Sequence, residues 1–354
     1  MRNKNILILI LLIGCFVVVQ SCKKDGVMVV PSTPNSGLTP YKLEIPLGLP
    51  PIFIPDSLQL TIEGVALGKQ LFFDPILSAN GSMACASCHI QQLAFVDTGK
   101  LSVGIDGIAG TRNAMPLFNL VYAKNFFWDG GATSLENQVI GPIINPVEMH
   151  STLKDVIAKL NENEDYKTKF KLVFGRNVIT TAMLMKAIAQ YEKTILSGNS
   201  KFDLYKVGKA TFTKNETNGL NLFLDENKGD CTHCHTFGST FTDFAFKDNG
   251  LDSIPKDSGR YRIPPFLISN IGKFKTPSLR NIELTAPYMH DGRFKTLTQC
   301  VEHYNSGFKN SANLDINIAN KTKGRMTTQE VADIVAFLKT LTDVSITTNK
   351  NFAK

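Results

Sequence analysis

Two five-residue phrases carry the chemistry this chain is equipped for: CASCH at 85–89 and CTHCH at 231–235, with Cys85 and Cys231 146 positions apart. A C-x-x-C pair can ligate zinc, cycle between dithiol and disulfide, or take one haem vinyl group on each sulfur. Only the last use calls for a histidine directly after the second cysteine, to reach the iron. Both copies have it, as His89 and His235. Two zinc half-sites would pair into a four-cysteine centre and leave both histidines redundant. A thioredoxin-like pair sits at a strand-to-helix turn of a βαβ unit, and neither copy has such surroundings. The pattern predicts two covalently attached haem c groups, one on Cys85, Cys88 and His89, the other on Cys231, Cys234 and His235.

The surroundings of the phrases also recur. GKQLFFD (68–74) precedes the first and GLNLFLD (219–225) the second, sharing G-x-x-L-F-x-D. Phe follows each haem histidine by six positions and Asp by eight, giving Phe95 and Asp97, then Phe241 and Asp243. Such self-similarity means two copies of one unit, each with one haem. The elements between them have helical periodicity. STLKDVIAKL places Leu153, Val156, Ile157 and Leu160 on one face after a cap at Ser151. TTAMLMKAIAQYEKTILSG is a longer helix stopped near Gly198, and Thr213–Glu216, Thr296–Gln299 and Thr327–Glu330 each fit a capping box. Strand-like alternation is scarce. The expectation is an all-α fold: two cytochrome c-like haem domains related by duplication, at 56–200 and 201–345, with long connecting loops. The final helix is expected to pack back on the first domain.

The start of the chain points to the compartment. Arg2 and Lys4 precede an apolar run from Ile6 to Val19, followed by Ser21-Cys22. This is the pattern of a signal peptide over 1–21 whose cleavage exposes a cysteine for acylation. Residues 22–55 would then be a tether from a lipid on Cys22, and the folded part would lie on the periplasmic side of the cell envelope; an uncleaved N-terminal anchor is the alternative. Of the seven cysteines, four lie in the haem phrases, Cys15 leaves with the leader and Cys22 carries lipid, so Cys300 remains without a disulfide partner. The net charge of +7 forms no concentrated basic stripe, and haem propionates offset much of it. That excludes a nucleic-acid-binding reading.

Two further stretches, FFWDGGATSLENQVIGPIINPVEM (126–149) and KTPSLRNIELTAPYMHDGRFKTL (275–297), resemble the bacterial di-haem cytochrome c peroxidases. They also resemble that family's relatives that oxidise a tryptophan precursor during methylamine dehydrogenase maturation. The resemblance runs from about residue 56 to 345. It implies that the N-terminal haem, with His89 as proximal ligand, is the peroxide site and that the C-terminal haem stores or relays electrons. It implies a distal pair, Gln138 and Glu148: peroxide cleavage moves a proton between the two oxygens, which a poised carboxylate can accept and return, while a neutral amide steers by hydrogen bonding. Trp128, the only tryptophan, matches the inter-haem relay, although a packed core aromatic would look the same. Asn113, Thr285 and Pro287 match the positions supplying oxygen ligands to a calcium ion, a hard cation that suits carbonyl and amide oxygens.

Two departures carry information. The family's peroxidases place a blocking histidine sixteen residues after the first haem histidine; here that position is Ile105, which implies a peroxide haem open in the resting state. They place an axial methionine fourteen residues after the histidine of HDG, here His290; that position is Tyr304, as in the maturation enzymes. A phenolate ligand favours ferric iron and lowers the potential. His303 and Met289 are the local alternatives, Met326 is farther off, and His233 is expected to be a solvent-facing spacer. The reading is a lipid-anchored di-haem peroxidase. It reduces hydrogen peroxide to water with electrons from a periplasmic donor such as a small cytochrome c. The alternatives are an oxidase of a protein or small organic substrate, using a two-electron-oxidised haem state, and a non-catalytic di-haem carrier. A homodimer is left open.

Overall fold

The computed structural model describes residues 37–55 and 59–354. The expected leader, the acylated Cys22 and the tether up to residue 36 lie outside the described residues, as do 56–58. Eleven α-helices follow in order among the described residues. The first six are α1 (Ile62–Phe73), α2 (Leu135–Gln138), α3 (Ile140–Ile144), α4 (Leu153–Glu162), α5 (Glu164–Phe174) and α6 (Thr181–Thr194). Then come α7 (Lys201–Lys206), α8 (Lys214–Leu224), α9 (Leu297–Glu302), α10 (Ile316–Ala319) and α11 (Thr328–Lys339). Long irregular stretches separate them. Among the described residues the β content is one short antiparallel ladder, Phe246–Lys247 against Phe274–Lys275, and a few isolated bridges. The fold is mainly helical, as the periodicity predicts.

Two helix crossings organise the molecule. α1 crosses α6 at Gly68, where a Cβ would collide with the carbonyl oxygen of Ala187 and crowd Tyr191. α8 crosses α11 in the same way at Gly219, against the Asp333 carbonyl and Phe337. Only glycine lets two helix backbones approach this closely. Each crossing has its own apolar core. Leu67, Leu71, Val156, Phe170 and Leu184 fill the first, and Phe223, Phe241, Val331 and Phe337 the second. A third cluster joins Phe72, Phe95 and Tyr191 to Ile346 and Phe352 near the end of the chain. There Gln91 donates to the carbonyls of Ile346 and Asn349 at 3.1 and 2.8 Å, and Tyr191 donates to that of Phe352 at 2.8 Å.

The three capping boxes at Thr213, Thr296 and Thr327 are all formed. Two helix ends differ from expectation. Thr152, not Ser151, caps α4, because the Ser151 amide is drawn onto α3 by a 2.9 Å bond to the Ile143 carbonyl. α6 ends at Thr194 rather than near Gly198, because tertiary bonds capture the next residues. The Ile195 carbonyl accepts from the Asn119 amide at 2.8 Å, and the Ser197 amide donates to the Asn119 side chain at 2.9 Å. A buried ion pair closes the middle of the chain: Arg280 grips Asp203 at 2.8 and 2.9 Å and also donates to the Gly48 carbonyl at 2.9 Å.

Candidate haem centres and catalytic site

Both C-x-x-C-H phrases fold as a short 3-10 turn that presents the cysteines and brings the histidine amide back to the first cysteine. His89 N donates to the Cys85 carbonyl at 3.0 Å and His235 N to the Cys231 carbonyl at 2.8 Å. His89 Nδ1 lies 3.0 Å from the Phe95 carbonyl and His235 Nδ1 3.1 Å from that of Phe241. A carbonyl only accepts, so each Nδ1 carries the proton and each Nε2 keeps its lone pair for a metal. Phe95 and Phe241 reach these positions with φ of 62° and 53° and with rings fully buried. The repeated phenylalanine thus supplies a strained carbonyl outside and a packed ring inside.

The donor set fits haem c. All four cysteines are free of disulfides. Burial pushes their thiols up, Cys231 to about 12 and Cys234 to about 11, opposite to the lowered values of redox-active cysteines. Glu192 Oε2 on α6 and Thr276 Oγ1, next to the Pro277 that borders His235, are buried without a hydrogen-bond partner among the described residues.

Glu148 is half-buried at the end of a tight turn after α3. Asn145 Nδ2 donates to its Oε1 at 2.7 Å, and its backbone carbonyl accepts from the Ile105 amide at 3.0 Å. Burial raises its carboxyl pKa above the ordinary value, with the Asn145 bond opposing. Gln138 is the last residue of α2 and half-buried. The turn folds back so that Met149 N meets the Pro142 carbonyl at 3.2 Å, setting Glu148 beside the helix that continues from Gln138. Ile105 lies on a small hairpin whose backbone packs closely on Val147 at Gly104. His150 Nδ1 and Asp106 form a 2.5 Å pair across the same contact.

Trp128 joins the two halves of the chain. Its indole N–H donates to the Asn113 carbonyl at 2.9 Å, and its own carbonyl accepts from the Lys275 amide at 2.8 Å. The Asn113 amide in turn donates to the His290 carbonyl at 2.7 Å, which brings Asn113 to the turn that follows Thr285 and Pro287. Among the described residues no group of three or more His, Cys, Asp or Glu forms a metal cluster, so any cation here would rely on carbonyl and amide oxygens. His290 stacks on Phe274 at 3.7 Å, and desolvation drops its pKa to about 4. Lys275 is buried, donates to the Asn125 carbonyl at 2.7 Å, and is lowered to about 8 by desolvation.

At the second centre the helix opened by Thr296 does not continue regularly to Tyr304. α9 ends at Glu302 and residues His303–Gly307 form a π-turn, a deformation that recurs at functional positions. It presents the Tyr304 hydroxyl to Asn249 Nδ2 at 3.2 Å, and the same amide lies 3.5 Å from Met289 Sδ. His303 Nε2 lies 2.9 Å from the Asn249 carbonyl, so that nitrogen carries a proton and offers no lone pair. His233 is exposed and pairs with Asp230 at 2.5 Å. Burial raises the Tyr304 phenol well above its ordinary value. Asn249, Asn145, Lys275 and Glu192 were not legible as site residues. Asn145 has the strongest signal in sequence, three positions before the carboxylate it binds; the others are assembled only by the tertiary fold.

Residues 62–211 match the family model for di-haem cytochrome c peroxidase. The methylamine utilization protein MauG of Methylophilus methylotrophus is 34% identical over 289 residues, spanning 81% of this chain and 84% of that protein. Cytochrome c551 peroxidase of Nitrosomonas europaea is 37% identical over 281 residues, 78% of this chain and 79% of that protein. Among solved structures, a MauG-like protein associated with microbial copper homeostasis superposes with a TM-score of 0.81 at 31% identity. It covers 88% of this chain and 99% of its own. The diheme peroxidase BthA of Burkholderia thailandensis gives 0.72 at 26% identity, covering 86% and 95%. With its two histidines freed for iron and relatives of this extent, the chain belongs to the di-haem cytochrome c peroxidase family.

Proposed function

We propose that this chain is a c-type di-haem peroxidase that turns hydrogen peroxide, two electrons and two protons into two molecules of water. The haem irons supply the peroxide-binding position and the electron transfer. Glu148 carries the reading: a half-buried carboxyl with a raised pKa, held by Asn145 and the Ile105 amide in the half of the chain that holds His89. A pure electron carrier needs no such proton handler. Glu148 takes the proton from the near peroxide oxygen and returns it to the leaving one. Gln138 steers the peroxide without competing for the proton. Ile105 has no group with which to block the iron. Trp128, bonded to Asn113 on one side and Lys275 on the other, links the two halves as the relay.

The two glycine crossings and the paired His–Phe bonds support a duplication into haem units at about 56–200 and 201–345. Tyr304 is the proposed sixth ligand of the second haem. Asn113, Thr285 and Pro287 are the proposed calcium ligands. The electron donor is a small periplasmic cytochrome or similar protein, and the protein is anchored in the envelope through lipid on Cys22. Among the described residues no helix is long and apolar enough to cross a membrane. A second reading, oxidation of a protein or small organic substrate, is favoured by the Asn249–Tyr304 contact, because an anionic oxygen ligand makes the second haem a poor acceptor from ordinary cytochromes. Steady-state turnover with peroxide and a panel of reduced cytochromes decides between them. Rapid turnover with a cytochrome supports the peroxidase, and none with any donor overturns it.

A further inference from the structure

Glu192 lies on α6 with 3% of its surface exposed, and its Oε2 has no hydrogen-bond partner among the described residues. Its neighbour Lys193 turns away to pair with Glu136 of α2 at 2.6 Å, which leaves Glu192 without a counter-ion. Burying an unpaired carboxylate costs several kcal/mol, so the neutral acid is the form this place accepts. Burial, then the charge of Glu136, raise its pKa to about 8 against the opposing pull of Lys193. The other ionisable groups in electrostatic reach are Tyr191 on the same helix and Cys85, whose own pKa values Glu192 raises. α1, which also packs on α6, adds no ionised group to this set.

Packing does not require an acid here. At the two glycine crossings Tyr191 and Phe337 take matching positions, and the residue after Phe337 is Leu338, 6% exposed in the second core. One unit fills the place with leucine; the other puts a carboxyl there, within electrostatic reach of the first haem-attachment cysteine. A buried polar atom without a partner calls for a redox or catalytic explanation.

We propose that Glu192 is the redox-linked proton acceptor of the first haem. With haem attached through Cys85 and Cys88 and its iron on His89, one-electron reduction of that iron would be accompanied by uptake of one proton from solvent onto the carboxylate of Glu192. Oxidation releases both. The cause is charge: a ferric iron holds a nearby carboxylate ionised, and its reduction removes that support in a medium that screens poorly. The inference rests on haem attachment at Cys85, and it delivers near the peroxide site a proton that the reaction consumes.

Spectroelectrochemical titration of the two-haem protein over a pH range spanning the Glu192 pKa of about 8 tests it. The midpoint potential of the first haem should fall as pH rises, with a slope approaching ~59 mV per pH unit, the one-electron equivalent of a tenfold change. Glu192→Gln should flatten that slope and leave the second haem unchanged. A slope that persists in Glu192→Gln with both haems attached overturns the proposal. If that variant does not take up haem, redox-difference infrared spectra of the Glu148→Gln protein, in which the other carboxyl with a raised pKa is silent, take its place. Reduction should add a protonated-carboxyl band that shifts in heavy water, and its absence overturns the proposal. Mass analysis showing no haem on Cys85 in the unaltered protein would instead remove the underlying reading.

Discussion

The side-chain amide of Asn249 donates to the phenol oxygen of Tyr304 at 3.2 Å and reaches the sulfur of Met289 at 3.5 Å. One amide therefore marks a point where two candidate ligands converge, while His303 spends its Nε2 proton on the Asn249 carbonyl. If the phenol oxygen is the ligand, the ferric spectrum lacks a thioether charge-transfer band and the second haem has a low potential. Tyr304→Met should bring in that band and raise the potential. A spectrum and potential untouched by the substitution would rule out Tyr304 and leave Met289 and His303 Nδ1 as the candidates.

The hairpin bearing Ile105 hands a backbone amide, not an imidazole, to the Glu148 segment. The ferric protein as purified should therefore bind cyanide at the first haem within mixing time and react with peroxide before any reduction. Optical stopped-flow checks this. Silence towards both ligands until one electron is added would show that another group occupies the iron.

Gly68 and Gly219 give the fold its clearest sensitivity to one methyl group. Gly219→Ala places a Cβ against the Asp333 carbonyl and the Phe337 side chain, both on a helix that cannot yield locally. Overpacking of this kind costs about 1–3 kcal/mol. The urea midpoint of the holoprotein should fall accordingly, and Gly68→Ala should do the same through α1 and α6. A midpoint unchanged by both would mean that the crossings relax freely.

Much of this was legible beforehand because it is local. The capping boxes at Thr213, Thr296 and Thr327 need only residues three apart, and all three form. The G-x-x-L-F-x-D and His-to-Phe spacings encode a helix crossing and a carbonyl acceptor, which a repeat displays twice. Long-range demands were invisible. Asn119 ends α6 early by taking Ile195 and Ser197 from 76 and 78 positions away, and Asn249 reaches Tyr304 across 55. The π-turn at His303 was hidden for a related reason: capping and periodicity predict where a helix starts, not where tertiary contacts widen it.

Glu148 offers the sharpest test of the catalytic reading because its environment fixes a sign. Burial raises its pKa and the Asn145 bond opposes that rise. The proton-accepting form exists only above the pKa, so peroxide cleavage should accelerate with increasing pH through a value higher than that of an ordinary glutamate, then level off. Glu148→Gln should slow the step by ~10²-fold or more and abolish the acid limb, with both haems retained. Asn145→Ala removes a donor that favours the ionised form, so it should move the acid limb to higher pH while sparing the plateau. Single-turnover rates with excess peroxide, followed against pH in the three proteins, measure all of this. A Glu148→Gln enzyme with an unchanged plateau would reduce that carboxyl to a structural acid and leave the peroxide proton to another group.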